Sequence, residues 1–236
     1  IARAIAPNEQ DHVIEIGPGE GALTEALITS GCRLDAIELD RDLRTRLLAA
    51  FSTHTGFTLH SADALQFDFA SLATDNARLR VVGNLPYNIS TPLIFHLLEQ
   101  AGVVRDMHFM LQKEMAERLS AQPGSKAWGR LSVMTQITVD AEYLFDVPPQ
   151  SFDPPPKVDS SMIRLTPRAH DDLPVPRKSL DKVLRLAFAG RRKRMSNALK
   201  ALQLDWSCLA VDPGKRADDV TIDEFLAIAE QSQALQ

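Results

Sequence analysis

Short apolar runs alternate with amphipathic segments along the first part of the chain. The first run reads His-Val-Ile-Glu-Ile at 12–16, and the segment after it places Leu23, Ala26 and Leu27 on one helical face. The same alternation predicts strands at 12–16, 34–39, 57–60, 79–82 and 107–111. It predicts helices at 22–30, 43–51, 91–100, 113–120 and 131–139. Such alternation is typical of an α/β fold whose mostly parallel sheet is covered by helices on both faces.

The pattern changes in the last hundred residues. Two strand-like stretches at 143–147 and 160–165 flank a proline-rich loop, which predicts an antiparallel pair at the sheet edge. Beyond them the pattern predicts helices at 180–188, 192–202 and 222–231. We therefore predict three parts: a Rossmann-like sheet domain at 1–167, a polar, proline-containing linker at 168–178, and a small all-α domain at 179–236.

A glycine-rich loop joins the first predicted strand to the first predicted helix. It reads Glu-Ile-Gly-Pro-Gly-Glu-Gly at 15–21, so that Gly17, Gly19 and Gly21 allow a turn and a close approach of backbone to a ligand. Glu38 ends the next strand, 21 residues after Gly17, where a carboxylate can bind the two hydroxyls of a ribose. The loop and this acid together predict a nucleoside-cofactor site. The alternative is a tight turn alone.

The charges around the loop bear on which cofactor it takes. The glycine spacing is GxGxG, and Glu15 and Glu20 flank it. Anionic side chains repel a pyrophosphate but suit the cationic methionine part of S-adenosylmethionine (SAM), which is the predicted cofactor. Asp63 and Ala64 follow the third predicted strand, where the carboxylate can accept from the amino group of the cofactor's adenine. The alternative for Asp63 is a cap or a solvated loop acid.

The tetrapeptide Asn84-Leu85-Pro86-Tyr87 follows the fourth apolar run. Open α/β sheets bind ligands at the carboxyl ends of their strands. There the Asn84 side-chain oxygen and the Leu85 carbonyl can accept the two protons of an adenine amino group, in a turn made rigid by Pro86. Tyr87 offers a stacking face for the base. The tetrapeptide therefore predicts methyl transfer to a base amino group, and the alternative is an ordinary Asn-Pro turn with a core tyrosine.

The proline-rich loop at 151–157 is the next candidate. Phe152 in such a stiff loop can close over the second face of a flipped base, and Lys157 can bind a phosphate. The alternative is a structural hairpin with a buried phenylalanine.

Positive charge is concentrated late in the chain. The net charge is −5, yet residues 177–200 hold nine basic residues and one acidic residue, a local charge of +8. Local field steers a polyanion, so we predict phosphate contacts there. The predicted cations are Arg191, Arg192, Lys193 and Arg194, with Lys113, Arg118, Lys126 and Arg130 as an extension. A solvated helix face is the alternative, although four consecutive basic residues would cover every face of a helix.

Several classes of protein are not predicted. No apolar stretch reaches the length that spans a bilayer. The two cysteines lie far apart and the six histidines show no paired-ligand spacing, so no metal is predicted. We expect a soluble, cytoplasmic monomer. Because the chain starts at Ile1 and not at Met, we also expect it to be a fragment.

Taken together, these motifs resemble those of the KsgA-type ribosomal RNA adenine dimethyltransferases. The resemblance covers nearly the whole chain and rests on the segments 15–19, 37–41, 84–90, 110–114, 129–132, 152–160 and 191–193. It implies a SAM-dependent enzyme that dimethylates N6 of two adjacent adenosines. These adenosines lie in a hairpin loop near the 3′ end of small-subunit rRNA. The implied partner is a partly assembled small ribosomal subunit, late in its assembly.

The resemblance also assigns residues. It implies SAM contacts for Gly17, Glu38, Asp63 and Asn84, base contacts for Asn84, Leu85, Tyr87 and Phe152, and a basic helix around 191–193. The family carries a Gln-Asn-Phe-Leu segment that touches SAM before its first motif. This chain begins only sixteen residues before Gly17 and lacks that segment. Weaker SAM binding by this chain is therefore expected.

Two other functions stay open at this point. One is a resistance-type adenine methyltransferase of large-subunit rRNA. The small-subunit enzymes are favoured over it by the late motifs at 129–132 and 152–157 and by the acidic net charge. The other is a nucleic-acid-binding factor that kept the fold and lost the chemistry. The intact sequence at 84–87 weighs against that factor.

Overall fold

The computed structural model of the chain describes residues 1–74, 78–86, 88–152, 155–168, 173–190 and 192–234. Its strands are β1 (His12–Ile16), β2 (Arg33–Glu38), β3 (Phe57–Ser61), β4 (Leu79–Asn84), β5 (Val104–Gln112), β6 (Val139–Val147) and β7 (Ser160–Pro167). They form one sheet in the order β3-β2-β1-β4-β5-β7-β6. Neighbours from β3 to β5 pair in parallel, whereas β7 runs antiparallel to both β5 and β6. This confirms the predicted α/β sheet with an antiparallel edge.

Helices connect most of the strands and recur in the C-terminal part. They are α1 (Ala2–Ile5), α2 (Ala22–Ile28), α3 (Arg41–Phe51), α4 (Ser90–Glu99), α5 (Lys113–Leu119), α6 (Arg130–Gln136), α7 (Arg177–Phe188), α8 (Met195–Ala198) and α9 (Ile222–Ala234). Asp40 caps α3, since its carboxylate accepts from the Asp42 and Leu43 amides at 2.8 and 3.0 Å. None of the helices described here combines the length and the apolar character that crossing a membrane requires.

The strand order reverses at β1 and β4. The chain passes from β1 to β2 and β3 on one side, then returns to place β4 on the other side of β1. Ile16 pairs with Gly83 in register, and a Cβ on Gly83 would lie 2.6 Å from the Ile16 carbonyl oxygen. Glycine therefore permits the close approach of β1 and β4 at this point. Doubly wound sheets bind ligands at such a reversal.

A buried ion-pair network holds the first residues against the sheet. The guanidinium of Arg80 lies 2.8 Å from the Asp11 carboxylate and 3.0 Å from the Asp106 carboxylate, and donates to the Ile5 carbonyl at 2.7 Å. All three charged groups are buried, so losing Arg80 would leave two carboxylates inside the protein without their shared buried cation. The network fixes the segment that begins at Ile1.

The chain divides into two compact units. The first comprises residues 1–116 with 139–168, and the second comprises residues 117–138 with 169–236. The predicted division into 1–167, 168–178 and 179–236 stays a prediction, and the units differ from it at 117–138. That segment groups with the C-terminal helices because the Trp128 indole donates to the Val220 carbonyl at 3.1 Å and Arg130 pairs with Asp181.

One predicted helix is mostly replaced by other structure. The helix predicted at 192–202 is wrong: α8 covers only Met195–Ala198, and a 3-10 turn follows at Lys200–Leu202. The Lys193 amide closes a turn onto the Gly190 carbonyl at 2.8 Å, and Arg194 forms an antiparallel bridge with Arg216. These backbone bonds replace the first helical turn.

The helix predicted at 131–139 ends at Gln136, and β6 begins at Val139 rather than at 143. Val139 and Asp140 pair with Pro167 and Thr166 of β7, so tertiary pairing extends the strand into residues that the pattern alone assigned to the helix.

Candidate active site

A cavity of about 510 Å³ opens where β1 and β4 end, within the first unit. This is the size of a small-molecule site. Its lining residues come from the N-terminal segment, the glycine loop, α2, the ends of β4 and β5, and the loop after β6. Of the predicted site residues, the cavity brings together Glu15, Gly17, Gly19, Asn84 and Phe152.

The glycine loop owes its shape to left-handed backbone. Gly17 and Gly19 have φ values of +64° and +60°, which other residues adopt only with strain. A Cβ at either position would find no atom within 4 Å, so conformation and not crowding requires glycine there. The loop turns back onto the sheet, since the Gly17 amide donates to the Ile37 carbonyl at 3.0 Å. Gly21 then caps α2 with φ +88°.

Glu15 is a buried carboxyl group on the cavity wall. It stands on β1, is 2% exposed, and accepts a hydrogen bond from the Thr24 hydroxyl of α2 at 2.6 Å. Burial raises the pKa of Glu15 to about 7, and the Thr24 hydrogen bond opposes that rise only in part. A cation in the cavity would favour the ionised form. Near neutral pH this carboxyl is therefore sensitive to the charge of whatever binds.

Glu38, Asp63 and Ala64 do not line this cavity. Glu38 ends β2 in register with Ser61 of β3, and its carboxylate accepts from the Asp40 amide at 2.9 Å. Asp63 follows two residues after Ser61, and its carboxylate accepts from the Leu65 amide at 2.9 Å. This bond matches the loop-acid alternative for Asp63. Glu38 at the end of β2 and Asp63 just after β3 nevertheless lie near the carboxyl ends of neighbouring strands, on the side of β1 away from β4.

The segment after β4 is held at both ends. The Leu85 amide donates to the Met110 carbonyl of β5 at 3.1 Å, and the Pro86 carbonyl accepts from the Ser90 amide of α4 at 3.1 Å. Leu85 itself is buried, whereas the Asn84 side chain is exposed on the cavity rim. Tyr87 lies outside the described residues. The backbone thus fixes Asn84 beside the glycine loop, one residue beyond the paired Ile16 and Gly83.

Phe152 follows a 3-10 turn at Pro149–Ser151 in the loop between β6 and β7. Its half-buried ring packs against the core that includes Met110 and Val147, and it also lines the cavity. The ring therefore fits the structural alternative and the predicted site role together.

The predicted RNA-contacting cations differ in their surroundings. In the first unit, the Lys113 ammonium lies 2.7 Å from the Asp146 carboxylate, and Lys157 is exposed. In the second unit, Arg118 is exposed on α5, and Arg192, Lys193 and Arg194 are exposed on the turn before α8. Arg191 lies outside the described residues.

Sequence reasoning missed some residues of these surfaces. Arg216 is exposed directly across the bridge from Arg194, and no local motif marks that pairing. Thr24 was detectable in part, because it shares a buried helical face with Leu27. Ile1 and Met110 line the cavity because the tertiary fold brings them next to it, which no local sequence pattern indicates.

Comparisons with known proteins agree on one family. The sequence model of the family described as "Ribosomal RNA adenine dimethylase" matches residues 1–234. Ribosomal RNA small subunit methyltransferase A of Pseudomonas aeruginosa is 54% identical over 234 residues, which cover 98% of this chain and 87% of the relative. The protein of that name from Saccharophagus degradans is 50% identical and covers 97% and 87%.

Solved structures share the fold. The 23S rRNA methyltransferase ErmE is 25% identical with a TM-score of 0.75, covering 98% of this chain and 95% of that chain. A dimethyladenosine transferase from Plasmodium falciparum is 24% identical with a TM-score of 0.77, covering 96% and 91%. The relatives at 50% identity and above are small-subunit enzymes, so the large-subunit alternative is not favoured.

Proposed function

Because the chain belongs to the ribosomal RNA adenine dimethylase family, we propose that it transfers methyl groups from SAM to N6 of small-subunit rRNA adenosines. The family and the enzyme class are those that the motifs predicted, and the non-catalytic alternative is not favoured. The proposal extends to its finer form: two adjacent adenosines, each methylated twice, in a hairpin loop near the 3′ end of the RNA.

The residues of the cavity fit the proposed cofactor. SAM supplies an electrophilic methyl group on a sulfonium when bound. The glycine loop at Gly17 and Gly19 presents backbone to the cavity, and Glu15 offers a carboxyl group to a cationic ligand. Glu38 is proposed to hold the ribose hydroxyls and Asp63 with Ala64 the adenine, along the ends of β2 and β3. No metal is proposed.

The target base is proposed to lie on the rim formed after β4. The Asn84 side-chain oxygen and the Leu85 carbonyl accept the two amino protons, so the nitrogen lone pair is aimed away from them. Tyr87 and Phe152 supply stacking faces, and Pro86 stiffens the turn. A strong general base is not needed, because orientation and a good leaving group drive attack on a sulfonium.

One observation carries this proposal. Asn84 follows the residue paired with Ile16, so the amide and the Gly17 loop lie on neighbouring strand ends and line one cavity with Glu15. The methyl donor and the acceptor nitrogen must come within bonding distance of each other. A single cavity lined by both the glycine loop and Asn84 can hold the two together.

The proposed substrate is the rRNA within a partly assembled small subunit, met late in assembly in the cytoplasm by a monomer. The exposed cations Arg118, Lys157, Arg192, Lys193 and Arg194 are proposed to contact phosphates, together with Arg191. Such contacts supply affinity and leave specificity to the base site.

The test is transfer from labelled SAM to small subunits lacking the modification, with large subunits alongside. Dimethyladenosine in the small subunit alone is the expected product. The variant Asn84→Ala should lose transfer by at least about a hundredfold, because it removes one acceptor that orients the amine, while RNA binding stays nearly unchanged.

The matched control is Gln233→Ala, which removes an exposed amide from α9 outside the cavity. It should transfer at the wild-type rate. If RNA binding and transfer fell together in Asn84→Ala, the orienting role of Asn84 would be wrong. Transfer of the labelled methyl group to the large subunit would favour large-subunit rRNA as the substrate.

A further inference from the structure

The loop that carries Phe152 is closed by an unusual set of polar contacts. It runs from 148 to 159 between β6 and β7, and the ladder pairs beside it are Val147 with Ser160 and Asp146 with Ser161. Val147 and Phe152 both line the cavity. The contacts at the base of this loop therefore lie next to the cavity that the ring lines.

Asp146 is the centre of those contacts. Its carboxylate accepts from the Lys113 ammonium at 2.7 Å, from the Ser161 hydroxyl at 2.8 Å, and from the Tyr143 hydroxyl. The hydroxyl oxygens of Tyr143 and Ser161 lie 2.7 Å apart. These donors lower the pKa of Asp146 to about 2, with Lys113 contributing most. Two strands and the start of one helix thus meet at one carboxylate.

Lys113 also contacts the other end of the loop through its backbone. Its backbone amide donates to the carbonyl of Asp159, the last loop residue, at 3.0 Å. Its side chain holds Asp146, which lies just before the loop. One residue at the β5–α5 junction therefore binds the chain on both sides of the loop.

Other charge pairs on the same hairpin lack this arrangement. Glu142 pairs with Arg164, and Asp140 lies 2.8 Å from Arg168, further along the strands from the loop. These are exposed two-residue pairs of the kind that contributes little to stability. They supply a natural comparison for the cluster at Asp146.

We propose that Lys113, Tyr143, Asp146 and Ser161 are positioning residues that fix the two ends of the 148–159 loop and thereby aim Phe152 at the target base. The inference rests on the proposed function for the role of Phe152. Lys113, predicted as a phosphate contact, acts in this account through Asp146 instead.

The first readout does not depend on catalysis. Within the loop, the Ser151 and Phe152 amides donate to the Pro148 and Pro149 carbonyls at 3.0 and 3.1 Å. Asp146→Asn weakens the ammonium pair, so exchange of these two amides with deuterium should accelerate at least tenfold. Glu142→Gln, the matched control, should leave it unchanged. Equal exchange rates in both variants would overturn the positioning role, whatever transfer shows.

The second readout is a double-mutant cycle with Phe152→Ala. If Asp146 acts through the ring, Asp146→Asn should lower kcat/KM for transfer about tenfold in the wild-type background and hardly at all in Phe152→Ala. SAM affinity and Tm should stay near wild type. If the effects of Asp146→Asn and Phe152→Ala on kcat/KM simply multiplied, the cluster would not act through the ring. If Asp146→Asn also lowered Tm and SAM affinity, the cluster would have a general structural role only.

Variants of Lys113 distinguish its proposed role as a positioning residue from its predicted role as a phosphate contact. Lys113→Arg keeps a cationic donor and should retain transfer, whereas Lys113→Met should behave like Asp146→Asn. If Lys113→Met lowered RNA affinity and its salt slope while Asp146→Asn did not, Lys113 would be a phosphate contact. A wild-type chain that methylated no subunit would refute the proposed function, whereas faster amide exchange in Asp146→Asn would still support the fixed loop.

Discussion

At the residue scale, Glu15 shows how a buried carboxyl group on a cavity wall is kept at a cost in stability. A carboxyl group that is 2% exposed and has one hydroxyl donor is poorly compensated when ionised. Its pKa is raised to about 7 by burial. The folded chain therefore holds a proton there that the unfolded chain releases from about pH 4.5 upward. Stability must fall as the pH rises between these two values.

We predict that Glu15→Gln removes this pH dependence. The free energy of unfolding of the variant, relative to wild type, should rise between pH 4.5 and pH 7.5. The maximum is about 3 kcal/mol, since one pKa unit corresponds to about 1.4 kcal/mol. Urea unfolding at several pH values measures the difference. Glu25→Gln, which alters an exposed carboxyl on α2, is the control for the loss of one negative charge. A flat difference for Glu15→Gln would mean that the carboxyl is ionised throughout.

At the element scale, the register between β1 and β4 sets the cavity. Ile16 and Gly83 pair where the strands end, and both following loops start from that pair. Because the strands are parallel, their carboxyl ends place the glycine loop and Asn84 side by side. A small change in the separation of these strands would move both halves of the site.

Gly83→Ala tests that dependence. The new Cβ would lie 2.6 Å from the Ile16 carbonyl oxygen and 3.2 Å from the Leu85 side chain, so backbone must shift. We expect a loss of about 1–3 kcal/mol in the free energy of unfolding and weaker SAM binding. Gly190→Ala is the control: the atoms nearest to its Cβ belong to the flexible Lys193 side chain, from 3.0 Å, so the substitution should cost little. If Gly83→Ala and Gly190→Ala had equal free energies of unfolding, β1 and β4 would be able to accommodate the added methyl group without strain.

Sequence periodicity located the strands of the sheet and the loops at their ends, because a buried strand such as β1 is apolar along its length. It could not locate contacts that the fold makes between distant residues. The bridge of Arg194 to Arg216 replaced a predicted helix, and the pairing of Asp146 with Lys113 joins residues 33 positions apart. Local pattern carries no information about either contact. The sequence pattern therefore predicted the strands and loops around the cavity better than the contacts that join distant parts of the chain.

At the scale of the whole molecule, charge is segregated rather than balanced. The net charge is −5, yet exposed cations gather on the turn before α8 and across its bridge. Arg194 and Arg216 stand opposite each other, and like charges in that arrangement disfavour the bridge. Neither has a carboxylate within 4.0 Å among the residues that the structure describes. A polyanion across this pair would relieve the repulsion.

The double variant Arg194→Glu with Arg216→Glu should therefore weaken RNA binding and flatten its dependence on salt. Removing one phosphate-binding cation should reduce the slope of log affinity against log salt by about 0.7–0.9, so a reduction of about 1.5 is expected for the pair. Titrations from low to physiological salt measure it, with SAM affinity unchanged. Arg44→Glu with Arg78→Glu makes the same change in net charge on the first unit and should leave the slope nearly intact. If both double variants reduced the slope equally, total charge and not this pair would govern binding.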